Sequence, residues 1–362
     1  MIRRARAALV ERPGGPFEVR EVELDDPRPD EVLVRVLAAG VCHTDLLMRR
    51  TWPERLLPMV FGHEGAGVVE AVGAGVASVV VGDSVCLSYR SCGRCAECAA
   101  GWNPYCLHAG ANARGVREDG STALRRAGTP VYGGFFGQSS FATHAIAHES
   151  SVVKVPADLP PVVAAPLGCS VQTGAGRVFN VLNAAPGEVL VVCGAGGVGL
   201  SALLAANVRG CRTVVVEPVE SRRALALSLG AAAAVPPGTP LADLTGGGAH
   251  HAVDTTGRAD AIGEAVGALR RRGTLALVGL GGKVELDLGT LVHNGIRVRG
   301  VIEGDAVPGT LIPDLVALHR QGVLPIERLI GEYPFEQIER AAQDATTGRC
   351  VKPVLRFDQQ VS

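Results

Sequence analysis

Hydrophobic and polar positions follow two different patterns along the chain. Residues 1–90 contain alternating apolar stretches such as EVLVRVLAAG and GAGVVEAVGAGV, separated by Gly and Pro, which is typical of short strands and turns. From about residue 171 to residue 303, short Val/Leu runs alternate with Ala/Leu-rich helical stretches, beginning with VLVVCGAGGVGLSALLAANV. This second pattern predicts βαβ units around a parallel sheet.

The two ends of the chain extend this division. The first residues, MIRRARAALV, predict a strand, because their apolar run stops at Glu11 and is too short for the core of a signal peptide. After residue 304, IPDLVALHRQGVL and FEQIERAAQDATTG predict helices, and KPVLRF predicts a strand. We therefore expect three segments, residues 1–170, 171–303 and 304–362.

Length and charge restrict the class of partner. A chain of 362 residues is long enough for two domains, and 47% hydrophobic residues suffice to bury their cores. The formal net charge is −1 and no block of Lys or Arg stands out, which argues against nucleic acid or an anionic membrane and favours a small molecule. Residues 189–208 lack charges over about twenty positions, the length of a membrane span, but the central CGAGGVG favours a strand, a turn and a helix.

That glycine motif carries specific chemistry. Gly194 would allow a tight turn after the strand, Gly196 would let the backbone approach a pyrophosphate, and Gly199 would allow close helix–strand packing. Gly197 and Val198 complete the turn, at a helix N-terminus that would face the phosphates. The motif predicts a dinucleotide-binding Rossmann domain.

Glu217 bears on which dinucleotide is bound. It ends the next predicted strand, where a carboxylate would bind the adenosine ribose hydroxyls and repel a 2′-phosphate. Arg222 and Arg223 follow on the next helix, and a guanidinium near the ribose would hold a phosphate instead. We predict NAD rather than NADP.

Four of the ten cysteines lie within CGRCAECAAGWNPYC. Cys92, Cys95, Cys98 and Cys106 have the spacing C-x2-C-x2-C-x7-C, and four thiolates on one loop would close a tetrahedral structural zinc site. An iron–sulfur cluster uses the same ligands, but the spacing is not the usual ferredoxin one. The absence of a secretory signal predicts a reducing compartment, the cytoplasm, where cysteines serve as thiols or metal ligands rather than disulfides.

A second set of candidate ligands is spread through the first half of the chain. Cys42 lies in GVCHTD, His63 in GHEGAG and Cys169 in LGCSVQTG. Two thiolates and one imidazole would leave a fourth coordination position open for a solvent or substrate oxygen, as catalytic zinc requires.

These motifs together resemble the zinc-dependent medium-chain alcohol dehydrogenases over essentially the whole chain. GVCHTD, GHEGAGVV, the four-cysteine loop, LGCSVQTGAG, GAGGVG and KPVLRF stand in the family's order, and two cysteines with one histidine are the catalytic zinc ligands of alcohol dehydrogenase. The resemblance implies a GroES-like β-barrel catalytic domain built from residues 1–170 and 304–362. It also implies a Rossmann NAD-binding domain at residues 171–303, with the active site in the cleft between the two. GGFFGQSSFATHA, LGCSVQTGAG and GVIEGDAVPGTLIP are most similar to aryl- or benzyl-alcohol dehydrogenases.

The resemblance also assigns roles around the metal. Cys42, His63 and Cys169 would bind catalytic zinc, and Glu64 would lie just behind it. Asp45 would accept the other ring N–H of His63, would cap a helix beginning in TDLLMRR, or would do both.

Cofactor and proton-transfer roles follow in the same way. Thr44, beside Cys42, would accept the alcohol proton; relatives often pass it to a histidine three residues on, where this chain has Leu47, so water or His43 would have to release it. The cofactor contacts implied by the resemblance are Thr173, Val278 and Leu280 on the nicotinamide side and His43 and Lys352 near the pyrophosphate.

The expected reaction is reversible hydride transfer from a primary alcohol, aryl or allylic, to NAD, giving the aldehyde, with two zinc ions per chain. Trp52, Phe135 and Phe136 match positions that line substrate pockets in relatives, although ordinary core packing would also explain them. Two alternatives remain: the same fold acting on a thiol–aldehyde adduct or a polyol, and a non-catalytic dinucleotide-binding zinc protein. Relatives are dimers or tetramers, so we expect a homo-oligomer.

Overall fold

The computed structural model describes residues 3–357 and divides the chain into two units. Of the described residues, the first unit contains 3–169, 307–316 and 330–357, and the second contains 170–306 and 317–329. Residues 317–329 therefore lie with the second unit, although the sequence analysis assigned them to the C-terminal segment, because one long helix, Pro308–Arg320, crosses the boundary. The predicted segments also include residues 1–2 and 358–362, which are outside the described residues.

Strands account for much of both units. Between residues 3 and 357 the strands are β1 (Arg3–Val10), β2 (Glu18–Leu24), β3 (Glu31–Gly40), β4 (Met59–Val60), β5 (Gly65–Val72), β6 (Ser84–Leu87), β7 (Leu124–Arg126), β8 (Thr129–Val131), β9 (His144–His148), β10 (Val152–Lys154), β11 (Val189–Cys193), β12 (Arg212–Val216), β13 (Ala233–Val235), β14 (Ala249–Asp254), β15 (Leu269–Leu277), β16 (Arg297–Gly300), β17 (Ile330–Pro334) and β18 (Lys352–Arg356).

Helices connect these strands. The α-helices are α1 (His43–Thr51), α2 (Ala96–Ala99), α3 (Pro161–Ala164), α4 (Ser170–Gly176), α5 (Gly197–Val208), α6 (Glu220–Ser228), α7 (Ala242–Thr245), α8 (Ala259–Gly267), α9 (Leu288–Asn294), α10 (Pro308–Arg320) and α11 (Ile338–Thr347). Short 3-10 helical segments occur at Glu54–Leu56, Asn103–Tyr105, Ala109–Ala113, Glu149–Ser151, Ala165–Gly168, Ile326–Leu329 and Phe335–Gln337, and a π-helical turn at Arg177–Val181. Phe135–Gly137 and Glu303–Asp305 are tight turns that contain left-handed residues.

The second unit is built on the parallel sheet that the sequence predicts. Its strand order is β13-β12-β11-β14-β15-β16, with every neighbouring pair parallel, which is the doubly wound order 3-2-1-4-5-6. β11 is buried at every position, as expected for a central strand covered on both faces. β11 and α5 occupy residues 189–208, so the strand–turn–helix interpretation is correct there. Among the described helices, none is long and apolar enough to cross a membrane.

The first unit is β-rich, and its longest strand organises it. β3 pairs antiparallel with β5, β9 and β18, and eight of its ten residues are buried, so both of its faces are covered. β18 joins this sheet through Val354, opposite Gly40, and Leu355, opposite Ala39. The C-terminal strand thus returns to the first unit, as the sequence analysis predicted, and it lies next to the strand that leads into Cys42.

Candidate active site

Four metal-binding side chains come together in the first unit. The donor atoms of Cys42, His63, Glu64 and Cys169 all lie within 4.8 Å of one another. Cys42 immediately precedes α1, His63 and Glu64 immediately precede β5, and Cys169 follows the 3-10 turn Ala165–Gly168. The ligand set predicted from sequence is therefore assembled by three separate chain segments.

Asp45 orients His63. Its Oδ1 atom lies 2.8 Å from His63 Nδ1 and accepts the Gly62 amide at 3.1 Å, while Oδ2 accepts the Cys42 amide at 3.0 Å. A carboxylate only accepts hydrogen bonds, so Nδ1 carries a proton and Nε2 faces the two thiols. Nε2 is buried and has no hydrogen-bond partner in the described part of the chain, which fits a metal ligand. Both predicted roles of Asp45 hold, since it is also in the first turn of α1.

The site is electrostatically prepared for a cation. A hydrogen bond with Cys169, reinforced by the charge of His63, holds the pKa of the Cys42 thiol well below its ordinary value, against the opposing effect of burial. Burial alone would lower the pKa of His63, but the charges of Asp45 and Cys42 outweigh it and raise that pKa. Thiolate is the form that binds metal, and the negative charge that retains a proton on His63 would equally retain zinc.

A buried ion pair lies directly behind these ligands. Lys352 Nζ is 2.9 Å and 3.0 Å from the two carboxylate oxygens of Glu64, and it donates to the Val41 carbonyl at 3.3 Å. Burial raises the pKa of Glu64 although Lys352 opposes the shift, and the Glu64 charge raises the pKa of Lys352 despite burial. A Cβ atom on Gly40 would lie 2.0 Å from Glu64 Oε2, so a larger residue there would displace the carboxylate from its present position.

This pairing was not anticipated from the sequence. The two residues are 288 positions apart, and no local spacing connects them. The sequence analysis assigned Lys352 to the pyrophosphate; the structure places its ammonium on Glu64, and the pyrophosphate contact stays a prediction.

Gln138 is a second residue that sequence reasoning missed. Its side chain is buried; Nε2 donates to the carbonyls of His63 at 2.9 Å and Ser88 at 3.0 Å, and Oε1 accepts the Gly65 amide at 3.0 Å. It therefore fixes the backbone on both sides of Glu64. The only signal in the sequence is a polar residue inside the otherwise apolar and small segment GGFFGQSSF.

The three candidate pocket aromatics occupy different environments. Trp52 and Phe135 are buried and meet edge to face with ring centroids 5.7 Å apart. Phe136 is half-buried, has a φ of 52°, and stacks on His63 with a centroid separation of 4.7 Å and an interplanar angle of 28°. The predicted substrate contact stays a prediction for all three, and Phe136 combines exposure with contact to a metal ligand.

The four-cysteine loop forms a compact sulfur cluster. The Sγ atoms of Cys92 and Cys98, and those of Cys95 and Cys106, are 4.0 Å apart. Four ligands at the usual Zn–S distance of about 2.3 Å would be separated by about 3.8 Å in a tetrahedron. The amide of Cys95 donates to Cys92 Sγ at 3.3 Å, and that of His108 donates to Cys106 Sγ at 3.3 Å, contacts that stabilise bound thiolates.

The pKa values of two cysteines in the loop are shifted in opposite directions. Hydrogen bonds from the amides of Cys98 and Leu107 lower the pKa of Cys95 to about 6. Burial, followed by the hydrogen bond with Cys95, raises the pKa of Cys98 to about 12. Metal binding at thiols releases protons, so zinc affinity at this loop depends on pH.

Gly194, Gly196 and Gly199 of the GAGGVG turn differ in the space around them. Gly194 has a φ of 97°, and a Cβ there would lie 2.4 Å from Thr255 Oγ1. A Cβ on Gly199 would lie 1.8 Å from the Gly194 carbonyl oxygen, whereas a Cβ on Gly196 would meet no described atom within 4 Å. The open space at Gly196 is where a backbone cradle would receive a pyrophosphate. Gly197 and Val198 begin α5, as expected.

Glu217 lies immediately after β12 and is bound to this turn. Its Oε2 accepts the Ala195 amide at 2.7 Å and its Oε1 accepts the Val219 amide at 2.9 Å. The carboxylate is buried and held at the carboxyl ends of the strands, where dinucleotides bind in doubly wound sheets. Arg223 donates to the main-chain carbonyls of Glu217 at 2.9 Å and Pro218 at 2.6 Å. Of the two arginines that could hold a 2′-phosphate, Arg223 is therefore already bound to main-chain oxygens.

The other predicted cofactor residues differ in exposure. Thr44 is half-buried and His43 is exposed at the start of α1. Thr173 is buried in α4 and donates its hydroxyl to Glu303 Oε2 at 2.9 Å. Val278 is half-buried and Leu280 is 77% exposed.

Known proteins are similar to this chain in sequence and in structure. The profile of the alcohol dehydrogenase GroES-like domain matches residues 28–157, and that of the zinc-binding dehydrogenase domain matches residues 197–318. Geraniol dehydrogenase of Castellaniella defragrans is 46% identical over 365 residues, covering 98% of each chain. An alcohol dehydrogenase zinc-binding domain protein from Burkholderia ambifaria has a TM-score of 0.96 at 45% identity, covering 99% of this chain and 100% of its own. Benzyl alcohol dehydrogenase of Acinetobacter calcoaceticus has a TM-score of 0.94 at 40% identity, covering 98% and 100%. These similarities confirm the predicted fold class.

The glycine environments predict opposite effects of two matched substitutions. Gly199→Ala should destabilise the fold by about 1–3 kcal/mol or more, because the added methyl collides with backbone. Gly196→Ala should leave the free energy of unfolding unchanged and weaken NAD+ binding, because its methyl enters only the open cradle. Urea unfolding and calorimetric NAD+ titration of both variants measure the two effects. Stable Gly199→Ala protein, or unaltered NAD+ affinity in Gly196→Ala, would contradict these assignments.

Removing one thiolate from the loop should remove one metal. We expect Cys98→Ser protein to contain one zinc per chain instead of two, and to unfold at a lower temperature, because serine does not replace a thiolate ligand. Metal analysis by mass spectrometry and a thermal melt provide the measurements, with Cys211→Ser, outside both clusters, as the matched control. Two zinc ions in Cys98→Ser would refute the site, and iron in the wild-type protein would establish the cluster alternative.

Proposed function

Because the chain belongs to the zinc-dependent alcohol dehydrogenases, we propose that it reversibly oxidises primary aryl or allylic alcohols to aldehydes with NAD as hydride acceptor. The observation that carries this proposal is the set formed by half-buried Cys42 with buried His63 and Cys169, in which Asp45 orients the His63 ring and Nε2 has no hydrogen-bond partner among the described residues. A non-catalytic dinucleotide-binding protein would have no need for three such ligands.

The named relatives support the substrate class. Geraniol and benzyl alcohol, in the names of two similar proteins, both carry a primary hydroxyl on a carbon next to a π system. Phe136 is the aromatic residue that we assign to the substrate, since it stacks on His63 and is half-buried. Trp52 and Phe135 support it from the core, and an aryl or alkenyl group would meet the ring of Phe136 edge to face.

Residues of the chain itself carry out the proton transfer that accompanies hydride transfer. When bound, zinc supplies Lewis-acid chemistry and the nicotinamide accepts the hydride. The Thr44 hydroxyl, two residues after Cys42, accepts the alcohol proton. With Leu47 at the position of a relay histidine, the proton leaves by way of water, and His43 is the exposed one of the two titratable residues that flank Thr44 in the sequence.

Glu217 supports NAD over NADP. Its buried carboxylate is fixed by the amides of Ala195 and Val219, at the position where the ribose hydroxyls would be bound and a 2′-phosphate would be repelled. All ten cysteines lie among the described residues and none of them forms a disulfide, which supports a reducing compartment such as the cytoplasm.

A substrate panel tests the proposed activity. NAD reduction followed at 340 nm should give kcat/KM values for benzyl alcohol and geraniol roughly a hundredfold or more above those for ethanol and sorbitol. Cys42→Ala should lose one zinc and more than about a hundredfold in activity, since even residues behind metal ligands account for 10- to 100-fold. Cys211→Ala should change neither.

The outcome of that panel also separates the alternatives. Preference for sorbitol or for a thiol–aldehyde adduct would replace the proposed substrate class, while full activity of Cys42→Ala would remove the catalytic zinc from the proposal.

We also propose that a second copy of the chain covers the free edge of the parallel sheet. β16 ends the sheet order, with β15 as its one strand neighbour among the described strands. Exposed apolar side chains surround this edge: Leu288 (72%), Val292 (78%), Val298 (37%) and Ile302 (52%). Open strand edges and contiguous apolar patches are characteristic of subunit interfaces.

Charge at that edge should therefore change the oligomeric state. Val292→Glu is expected to convert the oligomer to a smaller species, because association would bury an unpaired carboxylate. Light scattering coupled to size-exclusion chromatography measures the mass, with Val80→Glu, at another exposed valine in the first unit (62%), as the control. A monomeric wild-type protein, or an unchanged mass for Val292→Glu, would contradict this interface.

A further inference from the structure

Three consecutive residues near the end of the second unit adopt left-handed backbone conformations. Glu303, Gly304 and Asp305 have φ values of 49°, 67° and 50°. Two of them are not glycine, and such conformations are disfavoured for side chains, so they persist where surrounding contacts impose them and concentrate at functional sites. The contacts that impose this turn indicate what it does.

The turn is pressed against the helix that carries Thr173. A Cβ on Gly304 would lie 2.6 Å from the Gln172 carbonyl oxygen, and a Cβ on Gly176 would lie 2.5 Å from the Gly304 carbonyl oxygen. On its other side the turn is held by an ion pair between Asp305 and Arg299. Backbone therefore meets backbone at this point, which leaves α4 and the turn little freedom to separate.

Within this contact, the Glu303 carboxylate is directed at α4. The residue is 9% exposed, and its Oε2 accepts hydrogen bonds from the Thr173 hydroxyl at 2.9 Å and from Gln172 Nε2 at 3.2 Å. The buried Arg177 guanidinium donates to the Thr173 carbonyl and, at 2.8 Å, to the Val301 carbonyl. Thr173 is consequently held at its side chain by Glu303 and at its backbone by Arg177.

We propose that Glu303 is a positioning residue that fixes the Thr173 hydroxyl and places a buried negative charge beside the nicotinamide site, favouring oxidised NAD+ over NADH. This inference rests on the proposed function, because it is the family resemblance that puts Thr173 next to the nicotinamide.

The chemistry of the two cofactor forms gives the direction of the effect. The oxidised nicotinamide ring carries a positive charge and the reduced ring is neutral. The Thr173 hydroxyl has one proton and donates it to Glu303, so it presents lone pairs to any other neighbour. A carboxylate one hydroxyl away in a buried, weakly screened setting attracts the oxidised ring selectively. Loss of the charge should weaken NAD+ binding more than NADH binding.

The Glu303→Gln substitution tests the negative charge separately from the hydrogen bond to Thr173. The amide oxygen of glutamine still accepts from Thr173, and the side chain keeps its size. With the zinc-loaded enzyme, calorimetry for NAD+ and fluorescence titration for NADH should show the ratio Kd(NAD+)/Kd(NADH) increasing roughly tenfold or more, the order expected for a charge several ångström away at the effective dielectric of a protein. Glu327→Gln, an exposed carboxylate of the same unit (55%), should leave the ratio unchanged.

Thr173→Val tests the other half of the inference. It removes the hydroxyl, keeps the shape and leaves the Glu303 charge, so both dissociation constants should increase while their ratio stays within about twofold of the wild-type value. Glu303→Ala should lower kcat, and Glu303→Gln should restore most of it, because glutamine still positions Thr173. A purely structural role would shift thermal midpoints in all these variants without moving the ratio.

The results distinguish failure of the proposed function from failure of the role proposed for Glu303. Wild-type enzyme that binds neither NAD+ nor NADH would overturn the proposed function together with this inference. Wild-type enzyme that binds both, with an unchanged ratio in Glu303→Gln, would overturn the inference alone. If Glu303→Gln does not fold, Thr173→Val decides: a ratio altered more than about twofold by loss of the hydroxyl would show that the charge does not set the preference.

Discussion

The buried carboxylate of Asp45 is the interaction on which the metal site depends. It accepts hydrogen bonds from the amides of Cys42 and Gly62 and from the ring of His63, so one side chain holds two metal ligands that come from different chain segments. Removing it would leave three buried donors without an acceptor and His63 free to rotate. The hydrogen bonds that stabilise this part of the fold are therefore the same ones that orient the His63 ring.

Carboxylates perform a comparable function in the second unit. Glu217, just after β12, binds the amides of Ala195 and Val219, and Asp254, at the end of β14, accepts from Thr256 and Gly257. Each fixes a loop at the carboxyl end of a parallel strand, where ligands bind in doubly wound sheets. Glu303 does the same for α4. Buried carboxylates therefore fix loops and helices in the second unit as Asp45 does in the first.

Sequence reasoning succeeded where chemistry is encoded in short spacings. The glycine turn, the four-cysteine loop and the helix containing Asp45 are local, and their spacing predicts them. The pairs that close the site are not local: Lys352 and Glu64 are 288 positions apart, Gln138 and His63 are 75 apart, and Glu303 and Thr173 are 130 apart. Only the folded sheets bring them together. Helix α10 is a related case, since its sequence pattern predicts a helix but not that the helix begins in the first unit and ends in the second.

The pairing of β18 with β3 also affects which of the two units can fold first during synthesis. Most of the second unit is one continuous stretch, residues 170–306, which can begin to fold while the last strand is still being synthesised. The first unit has to wait for residues 352–356, because these complete its sheet and bring Lys352 to Glu64. Until then no ammonium group pairs with the Glu64 carboxylate. Burial of that carboxylate is therefore disfavoured, and a hydrated, open metal pocket is favoured in the nascent chain. A protein truncated before its final strand would lose its catalytic unit while keeping most of the residues of its nucleotide-binding fold.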